Sequence, residues 1–225
     1  MFQYREAIGW PPPKLFGGDI QPQYNRGPGS APVLLHRLGA DRHEAADYVH
    51  WGYRPPAAVE KQIPMAIRIR LDRAIDATYF RHMWRSGRAI CPVDGWYEWV
   101  EEGGKNLPWY VRAKVDAPLF LAAVTNWKPY RKVLVGTGFV LITAREGGGI
   151  VDVRERRPIV LSAPHAKLWM DPDLPPGQAE ILAREKAIGP DYLEWYRVST
   201  MVDDPKANDP RMVNPVAPAQ ETGDT

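Results

Sequence analysis

The sequence predicts an α+β fold: curved, mostly antiparallel sheets forming a partly barrel-like core, with helices at the periphery. Proline (23 residues) and glycine (19 residues) cut the 225-residue chain into short segments. That punctuation favours strands and turns over long helices. Between the breaks, short apolar runs recur at strand length. Only three stretches read as helices, and strands intervene, which is the α+β pattern rather than a regular βαβ alternation.

Taken in order, residues 10–32 hold Trp10-Pro11-Pro12-Pro13, Gly17-Gly18 and Gly27-Pro28-Gly29 and have little helix potential. Val33 to His36 reads as a short strand, and Tyr48 to Tyr53 as another, ended by Pro55-Pro56. From Pro64 to Leu71 the side chains alternate, with Ile67, Ile69 and Leu71 on one face and Arg68 and Arg70 on the other. A period of two marks a half-buried strand. Ala74 to Ser86 reads as one helix stopped by Gly87. Ala89 to Trp99 is apolar and aromatic and breaks at the turn dipeptide Asp94-Gly95, and Gly103-Gly104 sets a hairpin into Trp109 to Ala113. Leu119 to Val124 and Phe139 to Thr143 have the composition of buried strands. Val151 to Leu161 is charged with a strand-like end, Pro164 to Met170 and Pro176 to Ala187 are short helices, and Asp191 to Val198 is a last strand.

The length suits one domain, expected over residues 1–216, with a small, polar and disordered tail at 217–225. No apolar run approaches the roughly eighteen residues of a membrane span. Met1 to Trp10 carries Arg5 and Glu6 and does not read as a signal peptide. A single cysteine, Cys91, excludes an internal disulfide and a Cys-rich zinc site. A cytoplasmic monomer is the simplest expectation. No phosphate loop, dinucleotide motif or paired-histidine metal motif occurs, so no cofactor and no metal are expected.

The formal charge is only +2, but arginines cluster at Arg68, Arg70 and Arg73, at Arg81, Arg85 and Arg88, and at Arg154, Arg156 and Arg157. Such clusters suit either a phosphate-binding groove or solvated faces, and charge alone leaves both readings open. The nine tryptophans and ten tyrosines likewise suit core packing or base stacking.

Five segments are more specific. They are Tyr24-Asn25-Arg26-Gly27-Pro28, His50-Trp51-Gly52-Tyr53-Arg54-Pro55, Pro92-Val93-Asp94-Gly95-Trp96-Tyr97-Glu98-Trp99, the run Val151 to Leu161, and Val198-Ser199-Thr200 with Asn214-Pro215-Val216. In order and spacing they resemble the SRAP family (SOS response-associated peptidase), whose members shield abasic sites in single-stranded DNA. The resemblance implies one domain with a basic groove leading to a small pocket. Its chemistry uses an N-terminal cysteine exposed by loss of the initiator methionine. The amine condenses with the abasic aldehyde, and the thiol closes a thiazolidine. An asparagine positions the terminus, while a glutamate and a histidine move protons.

Residue by residue, Glu98 matches the glutamate. Phe2 stands at the cysteine position, Arg68 at the asparagine position and Arg154 at the histidine position. Cys91, inside an apolar segment, reads as core rather than as a replacement nucleophile. Two neutral or titratable groups have thus become permanent cations. With Glu98 between them, it would be held ionised as a partner of arginine rather than a proton carrier. Asn25, Trp51, Arg70, Thr143 and Arg156 match or adjoin DNA-groove positions, with scaffold roles open for Trp51 and Thr143.

Three functions follow from this pattern. One is a module binding single-stranded or abasic-site DNA without the covalent bond. A second is residual Schiff-base chemistry at the Met1 amine. A third is a repurposed scaffold binding a nucleotide or a protein through exposed Trp10, Trp109 and Trp127.

Overall fold

The computed structural model describes residues 3–10, 22–144 and 157–216. The larger of its two sheets is built around β4 (Arg88–Val93) and β7 (Leu119–Thr125), which pair antiparallel along their length. β1 (Val33–His36) and β2 (Ala45–Tyr48) extend it on the β4 side, and β8 (Phe139–Ala144) and β3 (Arg68–Arg70) on the β7 side. The two-residue strands β9 (Arg157–Pro158) and β10 (Val160–Leu161) pair with β8 and β7. Every ladder among the described residues is antiparallel except β3 with β8. The smaller sheet has three strands in the order β11 (Leu193–Arg197), β6 (Lys105–Ala113), β5 (Gly95–Glu102).

The larger sheet is the middle of three layers, because β7 is buried on both sides. Phe120, Ala122 and Val124 belong to one core and Leu119, Leu121 and Ala123 to another. A strand covered on both faces reads as an unbroken apolar run rather than an alternation. The first core lies under the helices. α1 (Gln3–Ile8) supplies Tyr4 and Ile8, α4 (Arg81–Ser86) Met83 and Trp84, α5 (Ala163–Trp169) Ala166 and Trp169, and α6 (Pro176–Glu185) Ala179, Leu182 and Ala183. The second core lies under the small sheet, through Val111, Ala113 and Leu193 with Trp96 and Trp195 packed beside them.

The sheet bends towards a barrel without closing. Beyond β2, Val49 and Trp51 stay hydrogen-bonded to Pro32 and Ser30, while Trp51 also forms an isolated bridge to Phe139 at the start of β8. A single bridge replaces the ladder that closure would need. At the β5–β6 hairpin, Gly103 and Gly104 have φ of 56° and 76°. Two successive positive φ values require the glycine pair that the sequence supplies.

Three expectations are corrected. The single helix over Ala74 to Ser86 is two helices, α3 (Leu71–Asp76) and α4, separated at residues 77–80. Tyr53 reaches into the break. Its hydroxyl donates to Tyr79 O, and its ring meets Phe80 edge-on at 5.4 Å, so tertiary contacts override helix propensity. Trp10, a candidate exposed aromatic, is only 7 % exposed and packs in the helix-side core. Two short helices that the punctuation masked also appear: α1 and α2 (Pro56–Glu60), the latter opening on the proline that ends the preceding extended segment. The expected tail at 217–225 lies outside the described residues.

Arg88, from one of the arginine clusters, is not on a solvated face. It is 4 % exposed and donates to four carbonyls: Trp169 O at 2.9 Å, Trp84 O at 3.1 Å, and Asp171 O and Leu174 O at 2.8 Å each. Burial lowers its pKa from the ordinary arginine value, partly offset by Asp171. Replacing Arg88 by Met strands those acceptors, each worth about 1–3 kcal/mol when left unmade. We expect a loss of about 3 kcal/mol or more in urea unfolding, with Arg88→Lys recovering only part because an ammonium lacks the planar fork.

The small sheet carries a second signature. Tyr97, Tyr110 and Tyr196 sit side by side in register. Burial and then Tyr196 push the Tyr97 phenol up to about 12, and burial raises Tyr110 further. A raised phenol stabilises the fold fully below its unfolded value of about 10 and loses that contribution as pH rises through the folded value. Ultraviolet titration should show a tyrosine fraction that resists ionisation near pH ~10 and titrates together with alkaline unfolding.

Candidate nucleic-acid interface

Glu98 owes its placement to the Asp94-Gly95 step between β4 and β5. A Cβ on Gly95 would lie 2.4 Å from Val111 O and 2.5 Å from Tyr110 Cζ. Only glycine lets β5 run this close to β6. Side chains then alternate along β5, so Trp96 and Glu98 share one face while Tyr97 and Trp99 take the other. Across the sheet, Glu98 stands opposite Trp109, which stands opposite Arg197.

On that face, indole N–H groups hold the carboxylates. Trp96 Nε1 donates to Glu98 Oε1 at 3.2 Å, and Trp109 Nε1 donates to Glu102 Oε1 at 2.7 Å. Glu98 is half-buried. Arg197 Nη1 lies 3.9 Å from Glu102 Oε2. Sequence reasoning missed Trp96 and Trp109 as carboxylate donors and Arg197 as the arginine in register with Glu98. The signal was available for Trp96, since it and Glu98 are two residues apart in a strand. For Arg197 it was not, because cross-strand register cannot be read from one segment.

The opposite face gathers the other motif segments. Tyr97 donates its hydroxyl to Tyr24 O at 2.8 Å, and Trp99 Nε1 donates to Asp203 Oδ1 at 2.7 Å. Asn25 donates through Nδ2 to Val202 O at 3.1 Å and to Asp204 O at 2.9 Å. Segments 24–28, 95–99 and 198–216 are thus hydrogen-bonded into one cluster although up to 184 positions separate the bonded residues, as between Tyr24 N and Asn208 Oδ1.

The arginine strand belongs to the larger sheet, at its edge. Arg68 is exposed on β3, opposite Leu141. Arg70 binds Asp72 through Nε at 2.9 Å and through Nη2. Thr143, paired with Arg70 in the ladder, is 2 % exposed and donates to Ile69 O at 3.3 Å. Trp51 is half-buried, stacks on Phe139 at 6.3 Å and donates its indole N–H to Ile67 O at 2.8 Å. Both side chains therefore have scaffold partners. Phe2, Arg154 and Arg156 lie outside the described residues, whereas Arg157 is buried. Cys91 is 5 % exposed in the second core, and burial pushes its thiol up to about 12. Among the described residues no group of three or more His, Cys, Asp or Glu side chains could hold a metal ion, and no helix is long and apolar enough to cross a membrane.

Residues 8–205 match the model of the SOS response associated peptidase (SRAP) family. The chain belongs to the SRAP family. It is 34 % identical over 194 residues to the abasic site processing protein YedK of Escherichia coli, covering 86 % of this chain and 85 % of that protein. It is 24 % identical over 250 residues to the abasic site processing protein HMCES of Gallus gallus, covering 95 % of this chain and 72 % of that protein. Among solved structures, a phage-related protein of Bordetella bronchiseptica superposes with a TM-score of 0.74 at 32 % identity, covering 88 % of this chain and 90 % of that one. The SRAP fold thus accounts for the mixed helix and antiparallel-sheet architecture.

Asp72 offers a direct check on the β3 edge of this SRAP domain. Its hydrogen bond from Arg70 holds the carboxyl at about 2. A depressed carboxyl contributes stability above its unfolded value of about 3.9 and loses it as pH falls through the folded value. Carbon-detected NMR should find the Asp72 midpoint at about 2, and Arg70→Gln should return it towards about 3.9.

Proposed function

We propose that this SRAP protein binds single-stranded or abasic-site DNA in a basic groove and does so without forming a thiazolidine. The relatives named above are abasic site processing proteins, which supports the DNA class. The observation that carries the non-covalent reading is Cys91. It is the only cysteine in the sequence, and it is buried with its thiol pushed up to about 12, so it offers no accessible thiolate. Phe2 stands at the second position, where the covalent chemistry needs cysteine.

Glu98 keeps the glutamate position, on a face where an indole N–H already donates to its carboxylate. In this reading Glu98 serves as an anchoring carboxylate held by that indole rather than as a general acid. Arg68 and Arg154 replace a neutral amide and an imidazole with cations and attract the strand's phosphates. Arginine recognises phosphate oxygens in a bidentate manner. Arg70 and Arg156 add to the same field. Asn25 and Trp51 belong to the groove in this reading, with the half-buried Trp51 ring offering a stacking surface to a base, and the buried Thr143 supports the strand behind it.

The test is a gel shift with single-stranded DNA holding one abasic site, beside undamaged DNA, with and without borohydride and denaturant. We expect a native shift that weakens as salt rises, with a slope of about −0.7 per neutralised phosphate. Arg68→Ala should weaken binding to both DNAs alike and reduce the slope by about 1. No denaturant-resistant band should form. Such a band without borohydride would mean that covalent protection survives. A band only after borohydride would assign Schiff-base chemistry to the Met1 amine instead.

A further inference from the structure

A cavity of about 230 Å³ opens at the far end of β4 from Glu98. Arg37, Arg42, Arg85 and Lys128 line it, with Asp171 as the acidic side chain in its wall. Arg37 follows β1, Arg85 lies in the last turn of α4 and Lys128 follows β7, so separate elements bring these cations together. β4 is six residues long, or roughly 17 Å from end to end. Its first residue, Arg88, borders this cavity, while its last leads into the Gly95–Glu102 strand.

The acidic partners do not balance the site. Arg37 Nη2 pairs with Glu44 at 2.7 Å, and Arg42 Nη1 with Asp173 at 2.5 Å. Arg85 and Lys128 have no carboxylate partner among the described residues. Lys128 Nζ donates to Ser86 O at 2.5 Å, which uses one of its three donors. Its pKa is lowered by burial and then by Arg131, and His82 is lowered by burial and then by Lys128. Arg37 Nε is also buried with no hydrogen-bond partner. Arg88 adds charge but not donors, since its guanidinium is held by the four carbonyls described above.

We propose that this cavity binds a tetrahedral phosphate group, supplied as free phosphate or as the terminal phosphate of a phosphomonoester. Its volume falls below the roughly 300–1,000 Å³ of pockets for larger ligands, which selects a compact anion. Arginine and lysine donors converging from several walls suit the oxygens of phosphate. The site is separate from the proposed DNA groove and does not depend on it.

Isothermal titration with inorganic phosphate at fixed ionic strength tests the site, using the wild type, Arg85→Gln, Lys128→Gln and the double variant. Arg85 and Lys128 are peripheral to both cores, and an unchanged melting temperature verifies folding for each variant. We expect saturable binding to the wild type. Each single variant should weaken it about tenfold, the worth of one charge-assisted hydrogen bond, and the double variant more. The shift with abasic-site DNA should be unchanged in all of them. Displacement of phosphate by a 5′-phosphorylated oligonucleotide, but not by its 5′-hydroxyl counterpart, would identify a strand end as the source. No displacement would identify the free anion. Absence of saturable binding, or equal affinity in wild type and double variant, overturns the site. Loss of the DNA shift together with phosphate binding would make the cavity part of the DNA groove and overturn its independence. Phosphate binding without any wild-type DNA shift would leave the site standing and remove the DNA reading instead.

Discussion

The buried guanidinium of Arg88 joins the layers of this molecule. It leaves the first residue of β4, the inner strand of the larger sheet, and closes on carbonyls from α4, the end of α5 and the turn before α6. Helix C-termini leave carbonyls without intrahelical partners, and burying them needs donors from elsewhere. One planar cation meets four such acceptors at once. Trp169 reinforces the joint from the helix side, with its indole N–H donating to Ala89 O and its ring edge-on to Trp84 at 5.4 Å. The helical layer is thereby fixed on β4, and β4 passes directly through Asp94 into the strand that carries Glu98.

At the other end of β4 the small sheet presents its side chains from a rigid platform. Its inner face rests on the second core through Val111, Trp96 and Trp195, while its tyrosine face is tied to the segments at 24–25 and 213 by phenol hydrogen bonds. Large aromatic rings bury much area and keep a polar handle, which lets one residue both pack and anchor. The high aromatic content of the sequence is explained here. Most of these rings are scaffold, and their N–H and O–H groups hold carboxylates and loop carbonyls in place.

Positive charge is partitioned rather than spread. Arg88 and Arg157 are buried within the fold, Arg70 faces Asp72, and Arg37 faces Glu44. Arg68 on the β3 edge and Arg85 at the cavity are exposed. A formal charge of +2 therefore says little about where the individual cations sit. The sequence clusters mixed structural arginines with exposed ones.

The sequence by itself determined most of the strands and the family, although the strand expected over Tyr48 to Tyr53 lies earlier, at Ala45–Tyr48. β1, β4, β5, β7 and β8 follow from short apolar or alternating runs between glycines and prolines, because strand burial depends on local pattern. The Asp-Gly-Trp-Tyr-Glu-Trp run placed Glu98 on a strand for the same reason. Tertiary structure alone decided the rest. It broke the helix at 77–80 by inserting Tyr53, set Arg197 in line with Glu98 through strand register, and gathered Asn25, Trp99 and the 198–216 segment into one cluster. It also separated Arg88, held by backbone carbonyls, from Arg85, three residues earlier at the rim of a cavity. Each of these outcomes rests on contacts between residues distant in the chain, and no local periodicity encodes which distant group will meet a given donor.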